Sequence, residues 1–320
     1  MTHSFHIVDV FAQEKYAGNQ LAVVTGAGDL SGEEMQAIAA EMDYSETTFV
    51  TGEPTDSGWP VRIFTPTEEV PFAGHPTLGT ASVIRQELAD GTPESVVLDL
   101  QVGEVPVDVR NEEGTELLWM RQQPPEFGES LDHAELADVL GLDAEQVDDA
   151  WPVQVVSTGL PTIIVPLEDR AALEGIDLDR QAYDDLVAGR EAKLVHAVCS
   201  EPREAEHDLA VRMFSPYYGV PEDPATGSAN GCLAAYLSKH EYLGSPSVDV
   251  RVEQGYEMGR PSVLSLRAEP DGDEVAVQVG GQVVPVARGD LLRRLMPYTP
   301  SARESTATCR LHHAQTQLHV

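Results

Sequence analysis

Val61-Arg62-Ile63-Phe64-Thr65-Pro66 recurs 150 positions later as Val211-Arg212-Met213-Phe214-Ser215-Pro216, and each copy reaches Val-Pro at the same offset, Val70-Pro71 and Val220-Pro221. A repeat of this kind marks a duplicated architecture, and it ranks ahead of any single predicted element. After a length difference of two residues, His75-Pro76-Thr77-Leu78-Gly79-Thr80-Ala81 lines up with Asp223-Pro224-Ala225-Thr226-Gly227-Ser228-Ala229. Both copies then enter an apolar helix, carrying Ala81, Val83, Ile84 and Leu88 in the first and Leu233, Ala234, Tyr236 and Leu237 in the second. Little charge interrupts either helix at its start, so both are expected to be largely buried.

Strand-like segments surround each helix. FHIVDVF and GNQLAVV open the chain, and ETTFV at 46–50 returns to strand after a helix whose start is signalled by Ser31 and Glu34, a capping box. Behind that box Met35, Ile38 and Met42 fall at helical spacing. SVVLDL, GEVPVDVR and ELLWMR follow the first apolar helix; SVDVRVEQ, SVLSLRAE and EVAVQVGGQVVPVA follow the second. Each half therefore reads as a many-stranded sheet with one central helix. Wrapping the sheet around that helix satisfies strand edges and helix together, which predicts an α+β protein of two pseudo-symmetric, barrel-like lobes. Residues 1–121 with about 284–298 are assigned to the N-terminal lobe and 122–283 to the C-terminal lobe. The Pro/Gly-rich stretch 122–129 is the expected linker, and 299–320 lacks periodicity and reads as a disordered tail.

With 320 residues there is room for two domains, and two lobes leave a cleft. Lys and Arg number 20 against 54 Asp and Glu, a formal charge of −34, and only Lys15, Lys193 and Lys239 are lysines. Such a chain repels phosphate backbones and anionic lipid, so neither nucleic acid nor a membrane surface is an expected partner. Apolar residues still make up 42%, which excludes wholesale disorder. The spread-out acids point to solubility in concentrated salt, the cytosol of a halophile, with an acidic interaction surface as the alternative. No apolar run approaches a membrane span and no export signal precedes Phe5, so a cytoplasmic location is expected. Cys199, Cys232 and Cys309 lack metal or redox spacing and read as reduced thiols.

The chemistry-bearing candidates sit at the repeated X-Pro sites. Read as N-caps, Asp223 is an ordinary capping residue, whereas His75 has no structural reason to be there. A His–Asp pair meeting from two helix N-termini combines a proton carrier with backbone N–H groups that suit an anionic substrate. Thr226, Gly227 and Ser228 would supply donors there. Glu46, between Ser45 and the apolar strand Thr47-Thr48-Phe49-Val50, is a solvated acid on one reading. On the other it is a buried general acid/base with a raised pKa. Gly26-Ala27-Gly28 lacks the spacing of a dinucleotide fingerprint and reads as a turn. The pairs His3/His6 and His312/His313 have no partners at ligand spacing, so no metal site is expected, and no nucleophile elbow or P-loop occurs.

Phe72-Ala73-Gly74-His75-Pro76, Glu222-Asp223-Pro224-Ala225-Thr226-Gly227-Ser228-Ala229, Ser45-Glu46-Thr47-Thr48-Phe49 and Gly259-Arg260-Pro261-Ser262 together resemble the phenazine-biosynthesis-protein-F-like family, from Phe5 to about Met296. The resemblance implies a diaminopimelate epimerase-like fold, usually a homodimer, and a cofactor-independent isomerase in which a glutamate takes a proton from one ring carbon and returns it to another. By motif that glutamate is Glu46. The resemblance also puts His75 and Asp223 beside the substrate, and Ser45, Gly74, Gly227 and Ser228 around its polar groups. Gln20 departs from the Gly-Asn-Pro turn common in the family, with a local effect expected.

Two other readings compete. A racemase or epimerase of the two-thiol type needs a cysteine at each helix N-terminus, and here those elements contain none; a one-base epimerisation stays open. A non-catalytic protein binding a small molecule is the second, and the joint presence of Glu46, His75 and Asp223 argues against it.

Overall fold

A computed structural model of the chain describes residues 3–112, 114–272 and 274–292. The proposed tail at 299–320, with Cys309, His312 and His313, lies outside the described residues.

Among the described residues, strands run as β1 (His3–Val10), β2 (Asn19–Thr25), β3 (Thr47–Val50), β4 (Trp59–Phe64), β5 (Glu69–Val70), β6 (Ser95–Leu100), β7 (Gly103–Glu112), β8 (Thr115–Arg121) and β9 (Glu126–Leu131), nine in the first series. Nine more follow as β10 (Val153–Ser157), β11 (Thr162–Pro166), β12 (Leu194–Cys199), β13 (Leu209–Ser215), β14 (Val220–Asp223), β15 (Val248–Gln254), β16 (Ser262–Asp271), β17 (Glu274–Gly281) and β18 (Val283–Leu291). The helices are α1 (Gly32–Met42), α2 (Gly74–Val83), α3 (His133–Leu140), α4 (Arg170–Glu174), α5 (Arg180–Val187) and α6 (Gly227–His240).

Pairing orders the strands in two rows with one plan. The first is β18-β1-β2-β3-β4-β6-β7-β8, with β5 hanging from β4. The second is β9-β10-β11-β12-β13-β15-β16-β17, with β14 hanging from β13. The parallel pairs fall at the same places in each, β2–β3 with β4–β6 and β11–β12 with β13–β15. An antiparallel β8–β17 pairing joins the rows, and no pairing among the described residues closes either into a full barrel.

Each row curls around one helix. α2 touches β1, β2, β3, β6, β7, β8 and β18, strands from both ends and the middle of its row, and every residue from His75 to Val83 is buried. Contact this close needs small residues. A Cβ at Gly79 would stand 2.5 Å from Leu21 Cδ2 and 2.9 Å from Val10 Cγ2, so the helix backbone itself lies on the sheet there. α6 meets β10, β11, β15, β16 and β17 in the same way.

The reading of one helix per sheet omits an outer layer. Leu136, Val139 and Leu140 of α3, Leu173 of α4 and Tyr183, Leu186 and Val187 of α5 share a core with Ile163, Val165, Val195 and Ala197 on the second sheet. These strands are thus buried on both faces, which is why they read as continuous apolar runs without alternation. On the first sheet α1 starts at the expected capping box, with Ser31 accepting from the Glu34 N–H and the Glu34 carboxylate accepting from Ser31 N.

The repeat also needs a correction. Ile63 pairs with Val70, whereas Met213 pairs with Asp223, so the offset of 150 at Ile63/Met213 becomes 153 at Val70/Asp223. It is 153 again at the helix starts, Gly74 and Gly227. A register shift between Met213 and Ser215 absorbs the extra residues. Neither X-Pro residue is therefore an N-cap. The caps are Ala73 and Thr226, neither of which caps its helix through its side chain; His75 lies in the first turn of α2, and Asp223 ends β14. Pro76 fits because first-turn N–H groups have no partner within the helix. Between the copies, Gln122 N donates to the Val277 carbonyl and β9 starts at Glu126, so the expected linker is only partly loop. Among the described residues no helix is long and apolar enough to cross a membrane.

Candidate active site

The two central helices meet N-terminus to N-terminus. A Cβ on Gly74 would lie 3.6 Å from Ser228 N and 3.8 Å from Gly227 Cα. With no side-chain cap on either helix, free N–H groups and the positive ends of two dipoles converge on one place.

Glu46, immediately before β3, brings its Oε2 to 3.4 Å from His75 Nε2. The side chain keeps 19% of its surface exposed, but Oε2 itself is sealed, and neither Oε2 nor Nε2 has a hydrogen-bond partner among the described residues. Buried polar atoms left unpaired cost roughly 1–3 kcal/mol each, so the fold gives up stability here. Burial, and then the nearby Asp223 charge, pushes the Glu46 carboxyl up to about 8. Burial pushes His75 down to about 3, against a bond to the Gln20 backbone that favours the charged ring. A bond of that sign is one the ring donates, so the Gln20 carbonyl accepts it and Nε2 keeps its lone pair.

Asp223 comes from the second copy, at the end of β14. Asn19 Nδ2 donates to its Oδ1 at 3.0 Å and to the Ala225 carbonyl at 3.0 Å, and the Thr226 hydroxyl donates to its Oδ2. Burial raises Asp223 to about 6, while the Thr226 and Asn19 bonds pull it back. At neutral pH the three groups are chiefly a carboxylic acid, a neutral imidazole and a carboxylate. This is an acid/base set with its components held apart in proton affinity.

The duplication does not duplicate this chemistry. Thr47 pairs with Phe64 and Val195 with Phe214, so the counterpart of Glu46 is Leu194. The counterpart of His75, second in its helix, is Ser228. One copy supplies acid and imidazole; the other supplies Asp223 and backbone donors.

The sequence profile of the family described as "Phenazine biosynthesis-like protein" matches residues 8–289. The chain is 38% identical over 292 residues to the trans-2,3-dihydro-3-hydroxyanthranilate isomerase of Pseudomonas aeruginosa, covering 90% of this chain and 98% of that one. This protein belongs to the phenazine biosynthesis-like family. A family structure from Bacillus anthracis superposes with a TM-score of 0.84 at 27% identity, covering 92% of this chain and all (100%) of that one. A probable proline racemase from Agrobacterium radiobacter shares the fold alone, with a TM-score of 0.57 at 11% identity over 93% of this chain and 95% of that one.

In this family member Glu46, His75, Asp223, Gly74, Gly227 and Ser228 all converge. Ser45 is half-buried next to Glu46, and its hydroxyl makes no hydrogen bond among the described residues. The Gln20 departure touches the site through its backbone, which leaves its side-chain identity of little consequence. Asn19 and Gln254, both buried, are the residues sequence reasoning missed. Asn19 had a signal in the Gly18-Asn19-Gln20 turn; Gln254 had none beyond its place ahead of the Gly259-Arg260-Pro261 motif. Cavities of about 620 Å³ and 390 Å³ open elsewhere, the first near His207 and Tyr256 and the second near Arg212 and Glu222, and no member of the trio lines either. The unpaired buried atoms of Glu46 and His75 lie instead beside the tight seam between α2 and α6, which makes that seam the candidate site.

Proposed function

We propose that the protein is a cofactor-independent isomerase that moves a proton on a small carboxylate-bearing metabolite, with Glu46 as the single acid/base. The observation that carries this is the Glu46–His75 juxtaposition at 3.4 Å, with both facing atoms unpartnered and no acid at the corresponding position of the other copy. In this reading the substrate lies in a cleft between a lobe of 1–121 with about 284–298 and a lobe of 122–283.

The substrate carboxylate takes the N–H groups at Gly74, Gly227 and Ser228, which compensate locally for the protein's net charge of −34. Glu46, once ionised, removes a proton from carbon and then, as the acid, returns it to another carbon of the same ligand. His75, neutral and oriented by Gln20, keeps an acceptor beside the transferring proton. Asp223 is the one group expected to be anionic throughout and suits an amino substituent. A cyclic unsaturated amino acid of the dihydro-hydroxyanthranilate type, after the Pseudomonas aeruginosa relative, is the substrate class we favour. Two-base racemisation is disfavoured because Leu194 and Ser228 stand where a second base would be needed. A homodimer belongs to the same proposal and is checked by sedimentation.

The test is deuterium incorporation from D₂O with dihydro-3-hydroxyanthranilate, followed together with product formation. Glu46→Gln should fold and bind ligand while turnover drops roughly 10²–10⁴-fold. Product formation undiminished in Glu46→Gln would overturn the assignment.

A further inference from the structure

Gln254, the last residue of β15, is buried to 1% exposure, and its amide uses four hydrogen-bonding positions on the loop that carries Asp223. Oε1 accepts from the Thr226 N–H at 3.2 Å and from Asn230 Nδ2 at 2.9 Å. Nε2 donates to the Asp223 carbonyl at 2.8 Å and to Thr226 Oγ1 at 3.1 Å. The amide cannot be turned round, because the Thr226 N–H only donates and the Asp223 carbonyl only accepts.

The direction of the next link follows. Thr226 Oγ1 already accepts from Gln254, so its one hydrogen goes to Asp223 Oδ2. Asn19 supplies Oδ1. Both carboxylate oxygens then face donors, an arrangement that favours the ionised form. The titratable groups on the other side are Glu46 and, beyond it, His75; Asn19 from β2, Thr226 from the α6 cap and Gln254 from β15 are neutral.

We propose that Gln254 is a positioning residue for the reaction: by fixing the direction of the Thr226 hydroxyl it keeps Asp223 an acceptor at both oxygens, and so maintains the negative charge that faces Glu46. The proposal rests on the reading that Glu46 carries the transferred proton. A residue that merely glued the loop together would leave Asp223 titrating as before.

The experiment is carboxyl-carbon NMR on the full, substrate-free chain with labelled Asp and Glu, assigned through Asp223→Asn and Glu46→Gln. In Gln254→Glu a carboxyl group with at most one hydrogen replaces an amide that donates two, and the Thr226 hydrogen is drawn away from Asp223. Asp223 should then titrate about one pH unit higher, while Glu46, which titrates above it and still meets an ionised Asp223, should stay near its wild-type value. The point at which the kcat/KM profile steepens on its acid side should move up with Asp223. Thr226→Val should reproduce the Asp223 shift, and Thr226→Ser should leave it as in the wild type. Folded variants with unmoved titrations would overturn the proposal, and so would a Gln254→Glu protein that does not fold, since Gln254 would then only hold the loop. Because the NMR titration uses no substrate, its result is independent of the deuterium experiment that tests the isomerase reading.

Discussion

Glu46 and His75 face each other at 3.4 Å, yet neither facing atom is hydrogen-bonded among the described residues. An ion pair there would bury two charges, and burial drives both groups toward their neutral forms. The contact is therefore between an acid and an imidazole that are both neutral and both available to a third partner.

Catalysis that begins with proton abstraction needs ionised Glu46. With that carboxyl at about 8, kcat/KM should rise about tenfold per pH unit up to pH 8 and level off above it. Below about 6, where Asp223 takes its proton, the slope should steepen. A rate that climbs as pH falls through 8 would mean that Glu46 acts first as an acid.

The same carboxyl weakens the fold at neutral pH. Its folded value, about 8, lies above the unfolded 4.5, so its contribution to stability is full below 4.5 and is lost as pH rises toward 8. At about 1.4 kcal/mol per pH unit the loss amounts to a few kcal/mol. Glu46→Gln should raise Tm at pH 8 and have little effect at pH 4.5, as thermal unfolding at the two pH values will show. An equal shift at both would remove the titration from the explanation.

Two glycines of α2 should respond differently to alanine. At Gly79 the new methyl meets Leu21 and Val10 below 3.0 Å, an overpacking of about 1–3 kcal/mol, partly offset by the better helix propensity of alanine. At Gly74 it meets nothing closer than 3.6 Å, so stability should be nearly unchanged while substrate approach to the helix N-termini is obstructed. Unfolding midpoints and kcat/KM for the pair separate packing from access.

Arg260 gives the Gly-Arg-Pro motif its structural meaning. It bonds Asp9 Oδ1 at 2.7 Å and the Gly18 carbonyl at 2.7 Å, tying down the loop that leads into Asn19. Burial raises the Asp9 carboxyl, and Arg260 is one of the groups that hold it down. Arg260→Met should cost about 3 kcal/mol by stranding a buried carboxylate, as urea unfolding at pH 7 will measure, and the deficit should shrink at acid pH as Asp9 is protonated.

Much of this molecule is local in origin and so was legible in the chain. The duplication shows in matching hexapeptides, α1 in its Ser31/Glu34 capping box, and burial of α2 and α6 in runs with no polar face. Glu46, His75 and Asp223 were readable as candidates because their neighbours form motifs. Tertiary structure alone decided how the copies correspond: one hairpin carries a bulge, so Ser228 and not Asp223 takes the place of His75. It also decided the proton affinities, which depend on burial supplied by residues distant in sequence. Asn19 meets Asp223 across 204 positions, and no local pattern encodes a contact made only when two sheets close around two helices.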